Sequence, residues 1–91
     1  MAGSSLSVVG KTVDGYPVIS GLFMLVGTYG LPLDILLEEL RDRSLSIDMQ
    51  GFIEDARKDG WKDRTILSRF SATRLGTDKT FMSKLKSALN G

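Results

Sequence analysis

Four segments of the chain repeat apolar residues at the spacing of an α-helix, and glycine separates the last three from one another. From Leu33 to Leu40, leucines stand at i, i+3, i+4 and i+7, which predicts an amphipathic helix opened by Pro32. A second segment has the same spacing, and two more place apolar residues on one side of a helix. The inner stripes are Met49, Phe52, Ile53 and Ala56, then Ile66, Leu67 and Phe70, then Phe81, Leu85, Ala88 and Leu89. This pattern predicts an all-α or mostly α fold, a compact bundle of four to five short helices.

The N-terminal part has a different pattern. The segment "LSVVGKTVDGYPV" mixes β-branched residues with the turn-forming pair Asp14 and Gly15, which predicts a short extended arm or a weak hairpin. Pro17 is expected to open a helix, and the apolar run from Val18 to Val26 predicts a helix buried on all sides. N-caps are predicted at Ser46, Asp63 and Thr77, and helix ends at Gly60 and Gly76.

The 91 residues contain no interdomain linker and no repeat, so the sequence predicts a single domain over residues 1–91. Within it, residues 1–16 are expected to form a flexible or extended arm and residues 17–91 a helical body. The apolar run is far shorter than the roughly 20 residues that a membrane-spanning helix needs. The sequence therefore predicts a protein with no membrane contact, located in the cytoplasm.

The chain contains neither cysteine nor histidine, which excludes disulfides, thiolate metal sites and the usual catalytic triads. Asp34, Glu38, Glu39 and Asp42 are expected on the solvated face of their helix, where nothing raises a carboxyl pKa for acid-base work. The "GKT" segment at residues 10–12 lacks the first glycine of a phosphate-binding loop. We therefore predict no enzymatic activity, no catalytic residue, no metal, no cofactor and no small-molecule substrate.

Charge is distributed unevenly along the chain. Residues 1–56 carry three basic and eight acidic side chains, for a net charge of −5, whereas residues 57–91 carry nine basic and three acidic ones, for a net charge of +6. Such an asymmetry indicates a basic half that meets nucleic acid or an acidic protein surface.

The segment "ARKDGWKDRTILSRF", residues 56–70, resembles a helix-turn-helix unit, which we place at residues 47–75. Ala56 supplies the small residue at which the helices approach, Gly60 the turn, and Ile66 an anchor of the second helix. Asp59 and Arg69 depart from that pattern, because apolar residues are usual at both positions. The second helix, expected over residues 63–75, would present arginine and hydroxyl side chains to a nucleic-acid groove.

The first interpretation is thus a small helix-turn-helix-like protein that binds double-stranded nucleic acid, as a DNA-binding regulator or accessory factor. A helix over residues 77–90 would add phosphate contacts or a dimer surface. The predicted nucleic-acid-binding residues are Lys62, Arg64, Thr65, Ser68, Arg69, Arg74, Lys79, Lys84 and Lys86. A basic helix that is simply solvated is equally compatible with this pattern.

The alternative is a non-enzymatic interaction or assembly protein. Acidic N-terminal and basic C-terminal halves of successive copies would dock head to tail, which builds rings or filaments of a homo-oligomer. A small viral structural or accessory subunit, associated with the virion, would fit this alternative.

Overall fold

The computed structural model describes residues 6–90, so the first residues of the predicted arm lie outside the described part. In chain order the elements are β1 (Ser7–Lys11), β2 (Pro17–Ser20), α1 (Phe23–Gly27), α2 (Leu33–Asp42), β3 (Ser46–Ile47), α3 (Met49–Lys58), α4 (Asp63–Ser71), a 3-10 helix (Arg74–Thr77) and α5 (Lys79–Asn90). The three strands form one mixed sheet in the order β1-β2-β3. The predicted all-α bundle is therefore wrong, and the protein is a small mixed α/β domain.

The sheet begins with a β-hairpin, one of the two forms expected for the N-terminal segment. β1 and β2 are antiparallel, and the turn between them is closed by the amide of Gly15, which donates to the carbonyl of Thr12 at 2.9 Å. Gly15 has φ of 91°, which glycine adopts without steric cost. The register shifts between Val8 and Gly10, so the outer strand carries an irregularity.

The apolar run that was expected to be one helix is divided in two. Residues 17–20 form β2, and α1 begins only at Phe23. Gly21, between them, has φ of 87°, which a right-handed helix does not accommodate. Pro17 accordingly opens a strand instead of the predicted helix.

β3 was not predicted, because it has only two residues and pairs with a distant part of the chain. Val18 lies opposite Ser46 and Ile19 opposite Ile47, in parallel. Ser46 therefore belongs to a strand and is not a helix N-cap. That role belongs to Asp48, whose carboxylate accepts from the amide of Gly51 at 3.2 Å.

The C-terminal helices also differ from the predicted bounds. α4 ends at Ser71, not near Gly76, and the 3-10 helix separates it from α5. Lys62 holds the N-cap position of α4, so Asp63 is its first helical residue. The first turn of α5 is capped by Asp78, whose carboxylate accepts from the amide of Phe81 at 3.1 Å, not by Thr77.

The core is formed mainly by the predicted inner stripes. All four leucines of α2 are buried, and the largest completely buried side chains, Phe70, Ile53, Ile66 and Leu85, come from α3, α4 and α5. Full burial of such a side chain contributes about 1.5–3 kcal/mol. The rings of Trp61, Phe23, Phe52 and Phe70 pack edge to face in succession, with centroids 5.1–5.3 Å apart. Because Phe70 belongs to α4, Phe52 to α3 and Phe23 to α1, this cluster connects α4 to the other two helices.

Candidate nucleic-acid interface

The turn between α3 and α4 fixes the direction in which α4 leaves the core. Gly60 has φ of 95°, and its amide donates to the carbonyl of Arg57 at 3.0 Å. The amide of Trp61 donates to the carbonyl of Ala56 at 2.9 Å, which completes a Schellman motif at the end of α3. Ala56 is completely buried, so a small side chain occupies the point where the helices meet.

One guanidinium group connects three helix ends. Arg57, near the end of α3, donates to both carboxylate oxygens of Asp63 at 2.8 and 3.0 Å, and to the carbonyl of Leu89 in α5 at 2.8 Å. The hydrogen bond from Arg57 lowers the pKa of Asp63, and the same bond raises the pKa of Arg57. The negative charge at the start of α4 is thereby matched within the protein.

The predicted site residues of α4 do not form one patch. Arg64 and Ser68 are exposed on its outer side, whereas Thr65 is half-buried. Arg69 is exposed but lies over the indole of Trp61, with its guanidinium carbon 4.8 Å from the ring centroid. Because Arg64 and Arg69 are five residues apart, they point about 140° apart around the helix axis.

The remaining predicted residues also lie on different sides. Lys62 is exposed at the start of α4. Arg74 approaches Glu38 of α2 at 3.7 Å, and Lys84 lies near β2 and β3, beside Val18 and Ser46. These cations therefore do not share one face.

Two of the predicted lysines instead line a groove between α4 and α5, with a volume of about 600 Å³. We call it the α4/α5 groove, and its lining residues are Leu67, Ser71, Gly76, Lys79, Met82, Ser83, Lys86, Ser87 and Asn90. None of them is acidic. A smaller hollow of about 250 Å³ continues the groove past Lys86 to Arg64 and the paired Asp63.

The 3-10 helix packs closely against the end of α4 at this groove. A Cβ atom at Gly76 would overlap the carbonyl oxygen of Ser71, so only glycine fits without movement. The hydroxyl of Ser71 donates to the carbonyl of Leu67 at 2.8 Å. The wall of the groove near Gly76 is thus tightly defined by backbone packing.

Sequence reasoning missed the neutral residues of the groove, Ser71, Ser83, Ser87 and Asn90. A signal was present in α5, where Lys79, Ser83, Lys86 and Asn90 recur at i, i+4, i+7 and i+11 and so share one side of the helix. The lysine ammonium groups, the hydroxyls of Ser83 and Ser87 and the amide of Asn90 can donate to phosphate oxygens, whereas the hydroxyl of Ser71 already donates to Leu67. The groove is therefore chemically suited to a row of phosphates.

Residues 6–90 contain no group of three or more histidine, cysteine, aspartate or glutamate side chains placed to hold a metal ion. Over the same residues, every helix is too short or too polar to cross a membrane.

Comparison with known proteins gives a partial similarity. No family model matches the chain, and no solved structure matches it significantly. Alanine–tRNA ligases are similar in sequence: that of Desulfosudis oleivorans is 31% identical over 71 residues, which is 70% of this chain, and that of Ligilactobacillus salivarius is 32% identical over 76 residues, or 84% of this chain. The enzyme of Lactobacillus delbrueckii subsp. bulgaricus is 29% identical over 76 residues. The chain spans only 8% of the length of each of these relatives.

Proposed function

We propose that the protein is a non-catalytic module that binds base-paired nucleic acid through the α4/α5 groove, with structured RNA as the favoured partner. The observation that carries the proposal is the pairing of Lys79 and Lys86 with hydroxyl and amide donors in a groove without acidic lining residues. Arg64 lies in the adjoining hollow and extends the positively charged surface beyond one end of the groove. An intracellular location is part of this proposal.

The electrostatics of the helix ends support this placement. The carboxylate in the adjoining hollow, Asp63, is paired bidentately with Arg57, so its repulsion of a phosphate is reduced. Most of the other acidic side chains belong to residues 34–55, outside the lining of the groove. A polyanion could therefore approach α4 and α5 without meeting an unpaired carboxylate in the groove itself.

RNA is favoured over DNA by the sequence similarity, and the chemistry of the groove is compatible with it. The similar proteins are ligases for tRNA, by name, and the groove offers phosphate contacts more than base contacts. A recognition helix that reads base edges needs a wide major groove, which A-form RNA does not provide. Contacts to phosphates and sugars have no such requirement.

The test is a salt titration with labelled duplexes of one sequence, made as RNA and as DNA. Phosphate contacts from Lys79, Lys86 and Arg64 predict a slope of about −2.7 when the logarithm of the binding constant is plotted against the logarithm of the salt concentration. This slope corresponds to roughly a 40-fold loss of affinity between about 50 and 200 mM salt. Fluorescence anisotropy measures this loss directly. RNA binding equal to or tighter than DNA binding is expected if phosphates dominate, and a strong DNA preference would instead favour insertion of α4 into a major groove.

Matched variants assign the binding to the groove. Lys79→Ala with Lys86→Ala should weaken binding at low salt about tenfold or more and flatten the slope by about 1.8. Lys84→Ala is the control, because it removes one lysine charge from the other side of α5 and so shows the effect of charge loss outside the groove. The proposal is wrong if the wild-type protein binds neither duplex at low salt, or if Lys84→Ala weakens binding as much as the double variant.

Head-to-tail assembly remains a prediction with weaker support. Of the four exposed carboxylates of α2, three already approach an arginine of the same chain, in the pairs Arg41–Asp42, Arg43–Glu39 and Arg74–Glu38. Only Glu39, at 3.0 Å from Arg43, is closely matched before a second copy arrives, because the other two pairs are 3.7 and 4.0 Å apart. Light scattering at rising concentration tests this alternative, and growth into rings or filaments would support it.

A further inference from the structure

A second concave site lies on the other side of the 3-10 helix. It has a volume of about 490 Å³ and is enclosed by α2, residues 44–47, the 3-10 helix and the start of α5. We call it the arginine pocket, because Arg41 and Arg74 both line it. Its volume lies within the range of about 300–1,000 Å³ that is typical of ligand sites.

We propose that the arginine pocket holds one unpaired nucleotide of the nucleic acid whose paired part occupies the α4/α5 groove. The inference rests on the proposed function and specifies its substrate as a duplex that carries a single-stranded end or bulge. Four features of the pocket support a nucleotide as its occupant.

The first feature is a lining that suits a base. Leu37 and Leu40, both buried, contribute apolar surface, and the rings of Tyr16 and Phe81 also line the pocket. A nucleobase is a flat ring that stacks on aromatic side chains, with each stacked base contributing about 1–3 kcal/mol. Asp78 adds a carboxylate that can accept from an exocyclic amine.

The second feature is a pair of guanidinium groups that are weakly engaged. Arg41 lies 4.0 Å from Asp42, and Arg74 lies 3.7 Å from Glu38, both at exposed positions. Exposed pairs at such distances contribute little stability and can be exchanged for a phosphate at small cost. Arg57 differs, since its bidentate pair at 2.8 and 3.0 Å holds it in place.

The third feature is a strained backbone in the wall. Ser44 has φ of 56°, the left-handed conformation that residues other than glycine seldom adopt. Its amide donates to the carbonyl of Arg41 at 3.1 Å, and that of Leu45 donates to the carbonyl of Leu40 at 2.8 Å. This Schellman turn ends α2 and places Arg41 and Ser44 at the pocket, and strained residues of this kind concentrate at functional sites.

The fourth feature is continuity with the groove. Arg74, Leu75 and Thr77 of the 3-10 helix line the arginine pocket, whereas Gly76 lines the α4/α5 groove. Of the next two residues, Asp78 lines the arginine pocket and Lys79 lines the groove. A strand that leaves the groove across the 3-10 helix therefore reaches the pocket directly.

The experiment compares a blunt RNA hairpin with the same hairpin extended by one unpaired nucleotide at either end. At least one extension should raise the affinity about fivefold or more, the lower limit for stacking of one base on an aromatic ring. Tyr16→Ala, and separately Arg41→Ala, should abolish this gain and leave the affinity for the blunt hairpin unchanged. Tyr29→Ala and Arg43→Ala are the controls, because both residues are exposed and lie outside the pocket.

A titration with AMP, followed by NMR, separates the inference from the proposed function. If the blunt hairpin binds but no extension improves affinity, the inference is overturned and the proposed function stands. If no hairpin binds but AMP shifts the signals of Tyr16 and Arg41, the pocket takes a free nucleotide, and the proposed function and the terminal-nucleotide inference are overturned. The absence of all binding overturns both.

Discussion

The sheet and the three C-terminal helices stabilise the protein in different ways. Every residue of β1 is exposed and those of β2 and β3 are half-buried, whereas α3, α4 and α5 supply all four of the largest completely buried side chains. The α4/α5 groove is built wholly on the helices and the 3-10 helix, while the arginine pocket also draws on residues of the hairpin and β3. We infer that the shape of the groove depends on the helices, whereas the shape of the arginine pocket depends on both the helices and the sheet.

The largest expected effect tests where the stability resides. Phe70→Ala should lower the free energy of unfolding by about 3–5 kcal/mol, because it removes a completely buried ring that packs between Phe52 and Phe81. Val8→Ala in β1, where the side chain is 61% exposed, should change it by less than about 0.5 kcal/mol. Urea denaturation measures both, and equal losses would contradict the difference drawn between sheet and helices.

A second prediction compares two glycines, one from each region. Gly76→Ala should cost about 1–3 kcal/mol, because the new methyl group overlaps the backbone of Ser71 and the wall of the groove must shift. At Gly10 in β1 an added Cβ atom meets nothing within 4 Å, so Gly10→Ala should be nearly neutral. Thermal unfolding of the two variants gives the comparison, and a neutral Gly76→Ala would show that the groove wall is not constrained.

A third prediction concerns the connection between α2 and β3. Ser44→Gly should raise the free energy of unfolding by up to about 1 kcal/mol. The substitution removes the strain of a left-handed conformation, and this gain exceeds the entropic cost of ordering the more flexible glycine on folding. Ser46→Gly, in the strand two residues later, should lower it by about 0.5–1 kcal/mol. Effects of the same sign, measured by urea denaturation, would argue against strain at Ser44.

The smallest expected effect is a dependence on acid. The pKa of Asp63 is lower in the folded protein than in the unfolded chain, so its pair with Arg57 stabilises the fold above the ordinary aspartate pKa of about 4. This contribution is lost as the pH falls through the lowered pKa. Asp63→Asn should therefore be slightly less stable than the wild type at neutral pH, and the difference should vanish in strong acid.

The control for the acid prediction is Asp59→Asn, at the exposed end of α3. Melting temperatures of both variants and the wild type, measured from neutral pH into strong acid, provide the comparison. A gap between Asp63→Asn and the wild type that persists below the lowered pKa would assign the effect to packing instead of charge.

The sequence predicted best what depends on neighbours along the chain. The leucine spacing of α2 and the turn glycine at position 60 depend on one or two helical turns, and both are confirmed. The division of the apolar run at Gly21 was missed, because an isolated glycine is also tolerated within a helix. β3 was missed because its pairing with β2 joins residues that are distant in sequence.

The two lysines of the candidate site were named from the sequence, but their arrangement and the neutral polar residues beside them were not. Lys79 and Lys86 were named and lie together in the groove, while Arg74 and Lys84 lie on other sides. The positions of lysines and arginines in the sequence do not show which side of a helix packs against a neighbouring element. Arg69 shows the same limit, because only the packed structure places the indole of Trp61 beneath it.

The irregular register of the hairpin also bears on how the protein behaves at high concentration. β1 is one of the two edge strands of the described sheet, and an edge strand can pair with further chains. The shift between Val8 and Gly10 interrupts the regular succession of peptide groups, and Lys11 adds a charge at the end of the strand. Both features oppose the pairing of β1 with β1 of another copy, so concentrated solutions of the protein should not aggregate through this strand.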